Sequence, residues 1–358
     1  MGTLFLAFPT PKDLKLQNYR ISLRILAAAY FVMTVLNIII MFLDFEVQTP
    51  EYFNFIVLLI SSLQALLFTF TLIILLNPAF VSSKRLLLFV SPTLLFSLIY
   101  FILLIVVGDC KITGIRDFYP CFSNPTVIIR LLFFLYYISQ LVYYILLFLK
   151  QEKIYLNKIN NNYSDVSKFR LNWIRWAFFL ALSIGIIAVG IQIFPGKLSD
   201  LVFNIILTLF YFGFALKYIN YNKIFSYLAP VLGTIKSSPE KQFMLKPRII
   251  WGELKKLILS EKYFLIEGIT LEQMSHLLKI GRTSLSNLIN SEEGVSFNLW
   301  INQLRIKEAK SLLSQNPDYN LTTIAELTGY SEQSNFSRQF KNLTGESPSV
   351  WRKKKIAS

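Results

Sequence analysis

The sequence predicts an all-α protein: a six-helix transmembrane bundle, then a cytoplasmic domain in which two helix-turn-helix motifs are joined by a long linker helix. Three observations predict it. The 358-residue chain is 54% hydrophobic and only 16% charged, far more apolar than a soluble domain of that size. Its first 220 or so residues fall into apolar runs of about 20 residues, the length that crosses a hydrocarbon core of roughly 30 Å as a helix. The stretch from Thr270 to Trp351 twice repeats a pattern of two short helices broken by a tight turn.

The N-terminal run LFLAF is too short for a signal peptide's apolar core and is followed by Pro- and Lys-bearing sequence, so the apolar content is expected in the mature chain. Six spans are expected near Ile21 to Leu43, Tyr52 to Leu76, Leu86 to Val107, Thr126 to Leu149, Leu171 to Ile191 and Leu201 to Ile219. Basic residues set their direction. Lys12, Lys15 and Arg20 precede the first span, Lys84 and Arg85 lie in the second connection, and Lys150, Lys153, Lys158, Lys168 and Arg170 in the fourth. The first connection has Asp44, Glu46 and Glu51 with no basic residue; the third has Lys111 and Arg116, and the fifth only Lys197. Both chain ends are therefore expected on the cytoplasmic side. The domains expected are residues 1–220 in the membrane, a linker over 221–250, and a cytoplasmic domain over 251–358.

Few polar residues interrupt the spans: Asn37, Asn54, Gln64, Gln140, Arg130, Arg175 and Asn204. Arg130 and Arg175 lie about a turn inside their spans and are expected to snorkel to the interface, while the amides are expected to hydrogen-bond between helices. No acidic residue sits mid-span, which argues against a proton-coupled transporter. Pro92, Gly185 and Gly190 read as kink or packing sites without counterparts in the other half. The two cysteines, Cys110 and Cys121, share one outward-facing polar loop. In an oxidising compartment a disulfide across about ten intervening residues is the preferred reading, with two unpaired thiols as the alternative.

Between Asn220 and Ser260 the composition shifts to Lys, Ser and Pro, with Pro230, Gly233, Pro239 and Pro247 as breakers. Trp251, Leu254, Leu257 and Ile258 then recur at helical spacing. That short amphipathic helix has three destinations, of which packing on the following domain is the preferred reading and pairing with a second subunit or lying on the bilayer the alternatives.

In the first repeat, Thr270 and Gln273 have the spacing of a capping box. A break at Lys279 to Gly281 precedes a helix with Leu285, Leu288 and Ile289 on one face and Arg282, Thr283, Ser284, Ser286, Asn287 and Asn290 on the other. Small polar side chains on a short helix after a tight turn suit a DNA major groove, because they reach base edges without bulk. In the second repeat Asn320 is placed to cap a helix through Leu327, Gly329 to end it, and Ser331 to cap the next. That helix buries Phe336, Phe340 and Leu343 and exposes Glu332, Gln333, Ser334, Asn335, Ser337, Arg338 and Lys341. Gln and Asn pair with adenine and Arg with guanine, whereas Lys341 and Ser331 suit phosphate. Between the repeats, a long helix shows a stripe of Phe297, Trp300, Ile301, Leu304, Ile306, Ala309 and Leu312.

With these residues in hand, the last 100 or so residues resemble the AraC/XylS-type DNA-binding domain. The matching strings are LRIKEAKSLL in the linker helix and IAELTGYSEQSNFSRQFKNLTGESPSVWR in the second repeat. The first repeat, in LSNLINSEEGVSFNLWIN, is similar to the variant found on membrane-bound or sensor-fused regulators. The resemblance implies two recognition helices, Arg282 to Asn290 and Glu332 to Lys341, entering successive major-groove segments of double-stranded DNA, usually with some bending. It also implies a bacterial chain, hence the inner membrane. Three departures, Lys279 for a helix-ending Gly, Gly281 for a capping Ser and Ile289 for Phe, imply a less rigid first repeat.

No metal-ligand cluster, P-loop, dinucleotide fingerprint or nucleophile elbow is present, and the lone His276 lies on an outer helix face. The expectation is a non-enzyme without cofactor: a membrane-tethered one-component transcription regulator whose membrane half senses a signal of unspecified chemistry. Its partners are duplex DNA and the lipid bilayer, with homodimerisation open. The net charge of +15 does not decide for DNA, since cytoplasmic loops contribute to it. From Trp251 to Ser358 about 14 basic residues face about 11 acidic ones, so phosphate neutralisation alone gives modest affinity. The tail Arg352 to Lys355 suits phosphate or an anionic leaflet equally. The rivals are a transporter or channel with a regulatory cytoplasmic domain, and an interaction module that no longer binds DNA.

Overall fold

A computed structural model describes residues 17–43, 51–166, 169, 171–194, 196–220 and 247–357 of the chain. Helices dominate, and the extended pairing among the described residues is one isolated antiparallel bridge between Tyr163 and Thr270. The linker over 221–246 lies outside the described residues, as do Lys12, Lys15, Asp44, Glu46, Lys168, Arg170 and the side chain of Asn37.

The chain divides into two compact units. The first comprises residues 1–155 and 171–235. It contains α1 (Gln17–Leu43), α2 (Phe55–Leu76), α3 (Ser83–Val107), most of α4 (Pro125–Asn160), α5 (Asn172–Ile193) and α6 (Lys197–Ile219). Five of these, α2 to α6, are long and apolar enough to cross a membrane. The helix α4 runs on to Asn160 where the sequence reading ended it at Leu149. Its extension KQEKIYLNKIN has no Gly or Pro and is rich in good helix formers, so nothing in it stops the helix.

Apolar contacts hold the first unit together in layers. Phe55 stacks on Tyr100 with centroids 3.8 Å apart and packs on Phe133. A buried polar relay crosses three helices: the Ser62 hydroxyl donates to Gln140 Oε1 at 2.8 Å and shares a 2.9 Å bond with the Thr93 hydroxyl. Gln140 Nε2 in turn donates to the Tyr144 hydroxyl. This is the interhelical use expected of such amides. Asn54 instead caps α2, accepting from the Val57 amide. On the outer faces Leu88, Leu94, Leu98 and Ile105 of α3 are each more than half exposed.

Arg130 corrects an expectation. Rather than snorkelling outward it is 1% exposed. It is held by Glu51, by Asp109 at 3.4 Å and by the Cys110 carbonyl. A buried guanidinium needs such acceptors: the first connection supplies Glu51, and the polar loop of the third supplies Asp109 and the Cys110 carbonyl. Arg175 is half exposed and makes two bonds to Glu152, at 2.8 and 2.9 Å. In that loop Cys110 and Cys121 are disulfide-bonded, with Cα atoms 5.6 Å apart.

The second unit comprises Leu156–Arg170 and Lys236–Ser358. It carries α7 (Pro247–Ser260), α8 (Leu271–Leu277), α9 (Arg282–Glu292), α10 (Phe297–Gln315), α11 (Leu321–Leu327), α12 (Gln333–Thr344) and α13 (Pro348–Ala357). Two apolar cores lie along α10. One gathers Met274, Leu285, Ile289, Phe297, Trp300 and Ile301 with Trp251 and Ile258 of α7. Of its three destinations, α7 therefore takes the preferred one, packing on the domain, with Trp251 5.2 Å from Trp300. The other core gathers Ile306, Ala309, Leu313, Ile324, Phe336 and Phe340. Leu313, not Leu312, is the buried leucine of α10, and Leu304 is only partly buried.

Candidate nucleic-acid interface

Each repeat is built from a short helix, a left-handed turn residue and a second helix. In the first, Thr270 and Gln273 form the reciprocal capping box that starts α8. Lys279 adopts φ 53° at the turn, a conformation a non-glycine residue reaches only at some cost. Gly281 occupies the N-cap of α9 with no side-chain bond. Leu285 and Ile289 point into the core, leaving Thr283, Asn287 and Asn290 exposed. Ser284 and Ser286 are half-buried, with Ser286 3.5 Å from the Asn290 amide. Arg282 is half-buried too, and its Nε and Nη2 donate to Asn162 Oδ1 at 3.0 and 2.6 Å. His276 is exposed, and the described residues hold no cluster of His, Cys, Asp and Glu able to bind a metal.

The second repeat is better punctuated. Asn320 Oδ1 accepts from the Thr323 amide at 2.8 Å, and Gly329 turns the chain at φ 79°. The next helix starts a residue later than Ser331 predicts, because Glu332 takes the extended N-cap conformation; Ser331 makes no cap and is half-buried. Gln333, Ser334, Arg338 and Lys341 lie exposed along α12, whereas Ser337 is half-buried. Gln333 Oε1 accepts from Thr322, and the Ser334 hydroxyl donates to Glu332.

Asn335 is a correction. It is 4% exposed, and its Oδ1 accepts from Arg338 Nη2 at 2.8 Å. One position before Phe336, it falls about 100° from the centre of the apolar stripe, beyond a stripe about 100° wide, so tertiary packing and not the helix's own periodicity buries it. Its amide therefore orients Arg338 in this structure rather than standing out from the surface.

Arg305 escaped the sequence reading. It is fully buried on α10, donates to the Phe264 carbonyl at 2.7 Å and the Ile266 carbonyl at 2.8 Å, and lies over the Tyr330 ring at 5.2 Å. Tyr330 in turn donates to Asn302 Oδ1 at 2.8 Å. Burial pushes the guanidinium pKa down and the phenol pKa up. The two groups thus tie the segment before the first repeat to the turn of the second. Gly329 sits at the same junction, where a Cβ would collide with the Leu265 carbonyl oxygen. The available signal was an Arg four residues after Ile301 on the apolar side of a helix, a charge where the stripe predicts a hydrophobe.

Two short helix pairs on a common rod, each with a polar outer face, define a tandem helix-turn-helix domain. Residues 274–354 match the family described as Helix-turn-helix domain, and this part of the chain is a domain of the AraC type. The raffinose operon transcriptional regulatory protein RafR of Pediococcus pentosaceus is 33% identical over 86 residues, 24% of this chain and 31% of that protein. The Msm operon regulatory protein of Streptococcus mutans is 29% identical over 102 residues, 28% of this chain and 35% of that protein. The chain thus spans about a third of the length of these relatives. Among solved structures, the C-terminal domain of AraT, a response regulator from Geobacillus stearothermophilus, is 31% identical with a TM-score of 0.28, covering 31% of this chain and 88% of that one. A Listeria innocua protein of unknown function is 35% identical with a TM-score of 0.26, covering 28% and 93%. The domain and its curated relatives are those of transcription regulators, not of enzymes.

Proposed function

We propose that the protein is a membrane-tethered, one-component transcription regulator that reads duplex DNA with α9 and α12. The exposed polar face of α12 carries this reading: Gln333, Ser334, Arg338 and Lys341 project from a helix whose opposite face is locked into a core by Phe336 and Phe340. Arg338 has the fork geometry for guanine and Gln333 the amide for adenine, while Lys341 suits phosphate. Thr283, Ser284, Ser286, Asn287, Asn290 and Arg282 form the corresponding face of α9.

Six spans, α1 to α6, cross a bacterial inner membrane, with residues 1–220 as the membrane domain and 251–358 as the cytoplasmic reader. The exposed apolar side chains of α3 support this, since lipid accepts such a surface and water does not. Sensing by the bundle is supported by a cavity of about 60 Å3 among α2, α4, α5 and α6, where Gln64 Nε2 is buried without a hydrogen-bond partner. An unpaired buried amide favours a bound polar group.

The test is genome-wide mapping of DNA held by the intact protein beside a Gln333→Ala/Arg338→Ala variant. Loss of sequence-specific peaks is expected, and indistinguishable maps would overturn α12 as the reader.

A further inference from the structure

The connection between α4 and α5 belongs to the same compact unit as the helix-turn-helix domain. Its contacts there are specific. Tyr163 pairs antiparallel with Thr270, flanked by bonds from the Ser164 amide to the Ile269 carbonyl at 3.2 Å and from the Leu271 amide to the Asn162 carbonyl at 2.8 Å. The second of these satisfies one of the amides left open at the start of α8. The Ser164 carbonyl accepts from Asn298 and from Asn302, the latter at 3.0 Å, and Ser164 is 2% exposed. Asn162 then reaches the first residue of α9, taking both Nε and Nη2 of Arg282 on one oxygen.

We propose that this connection is a resident competitor of DNA for the first recognition helix. The first turn of such a helix is where helix-turn-helix proteins place base-contacting side chains, and reading guanine takes two donors of one guanidinium held in a plane. With the Nε/Nη2 edge of Arg282 committed to Asn162, the side-on fork is taken and the guanidinium is held toward the docked segment. Thr283, Asn287 and Asn290 stay exposed, so the docked segment weakens the first repeat without burying it. The exchange is reciprocal: bound DNA disfavours docking by the same factor by which docking disfavours DNA. A segment that only propped up the domain would make the backbone contacts but would not change when DNA binds. This inference rests on α9 being a DNA reader.

Tyr163 and Thr270 face each other as a non-hydrogen-bonded antiparallel pair, a geometry with Cα atoms about 4.5 Å apart and within disulfide range. A Tyr163→Cys/Thr270→Cys variant of the intact protein, in lipid nanodiscs, locks the segment on oxidation. The wild type carried through the same treatment controls for the native Cys110–Cys121 bond. The probe is a duplex selected from a random-sequence pool by an Asn162→Ala/Asn298→Ala variant, which loosens docking without altering any exposed residue of α9 or α12.

Expected are a cross-link that forms without DNA and is suppressed by the selected duplex, an oxidised form that binds it about tenfold more weakly than the reduced form, and severalfold tighter binding by the Asn162→Ala/Asn298→Ala variant than by the wild type. Equal affinity of the cross-linked and reduced forms would overturn the competition, and failure of the cross-link to form would overturn the docked arrangement. Selection of no duplex by any form has a separate signature and would overturn the DNA-reading proposal itself.

Discussion

Arg305 and Tyr330 each supply what the other's burial demands, a face for a cation and a charge for a ring, and neither contributes to an outer surface. Arg305→Ala takes the side-chain donor from the Phe264 carbonyl, leaves the Ile266 carbonyl only the Ile269 amide at 3.3 Å, and opens a void. It should cost about 2–5 kcal/mol, read as a lowered temperature for proteolysis of the C-terminal domain in the intact protein. Arg305→Lys keeps the charge but not the fork, so it too should destabilise, by about 1–3 kcal/mol. Gly329→Ala meets two obstacles at once, a left-handed backbone and the Leu265 carbonyl. The first alone costs about 1–2 kcal/mol. At this scale the sequence was legible where a residue serves its own helix, as with Phe336, Phe340 and His276. It was not legible where a residue serves a distant segment: Arg305 answers carbonyls some 40 positions away, and Asn335 is covered by packing that one helix's periodicity does not reveal.

Helix punctuation was readable because caps are local chemistry. The Asn320 side chain bonds an amide three residues on; Asn320→Ala should lower the domain's stability by about 1 kcal/mol. Gly281, extended at φ −67° and without a cap bond, is the converse. Gly281→Ser should raise stability by a few tenths of a kcal/mol, seen as slower amide exchange at the start of α9. Glu293 joins α9 to α7: burial would raise its pKa, but hydrogen bonds from Lys255 and Trp251 outweigh that and hold its carboxyl below 4.5. Its contribution is therefore present above pH 4.5 and disappears as pH falls through the lowered folded-state value. Glu293→Gln should remove that part of the acid sensitivity of α7 docking, monitored by Trp251 fluorescence. The ends of α4 were harder to read, since a charged but well-formed helical extension carries no stop signal of its own.

For the molecule as a whole, the near balance of basic and acidic residues beyond Trp251 predicts that individual phosphate contacts matter. Lys341→Ala should weaken binding uniformly across sequences and lower the slope of log affinity against log salt by about one. Arg338→Ala should instead relax preference at one base pair. The apolar runs are legible in composition, but the grouping of Leu156–Arg170 with the C-terminal unit depends on backbone bonds between segments more than 100 residues apart, which no local pattern encodes.

The Arg305–Tyr330–Gly329 junction bears on the DNA rather than on the protein. In the proposed function α9 and α12 read duplex DNA from one rod, since the core of each repeat is built on α10, and that rod fixes the spacing between them. Each base pair added between half-sites moves them about 3.4 Å apart and rotates them about 35° around the duplex. Spacer length should therefore be as strict a requirement as the bases themselves, and a promoter would lose regulation through a single inserted base pair that neither helix touches.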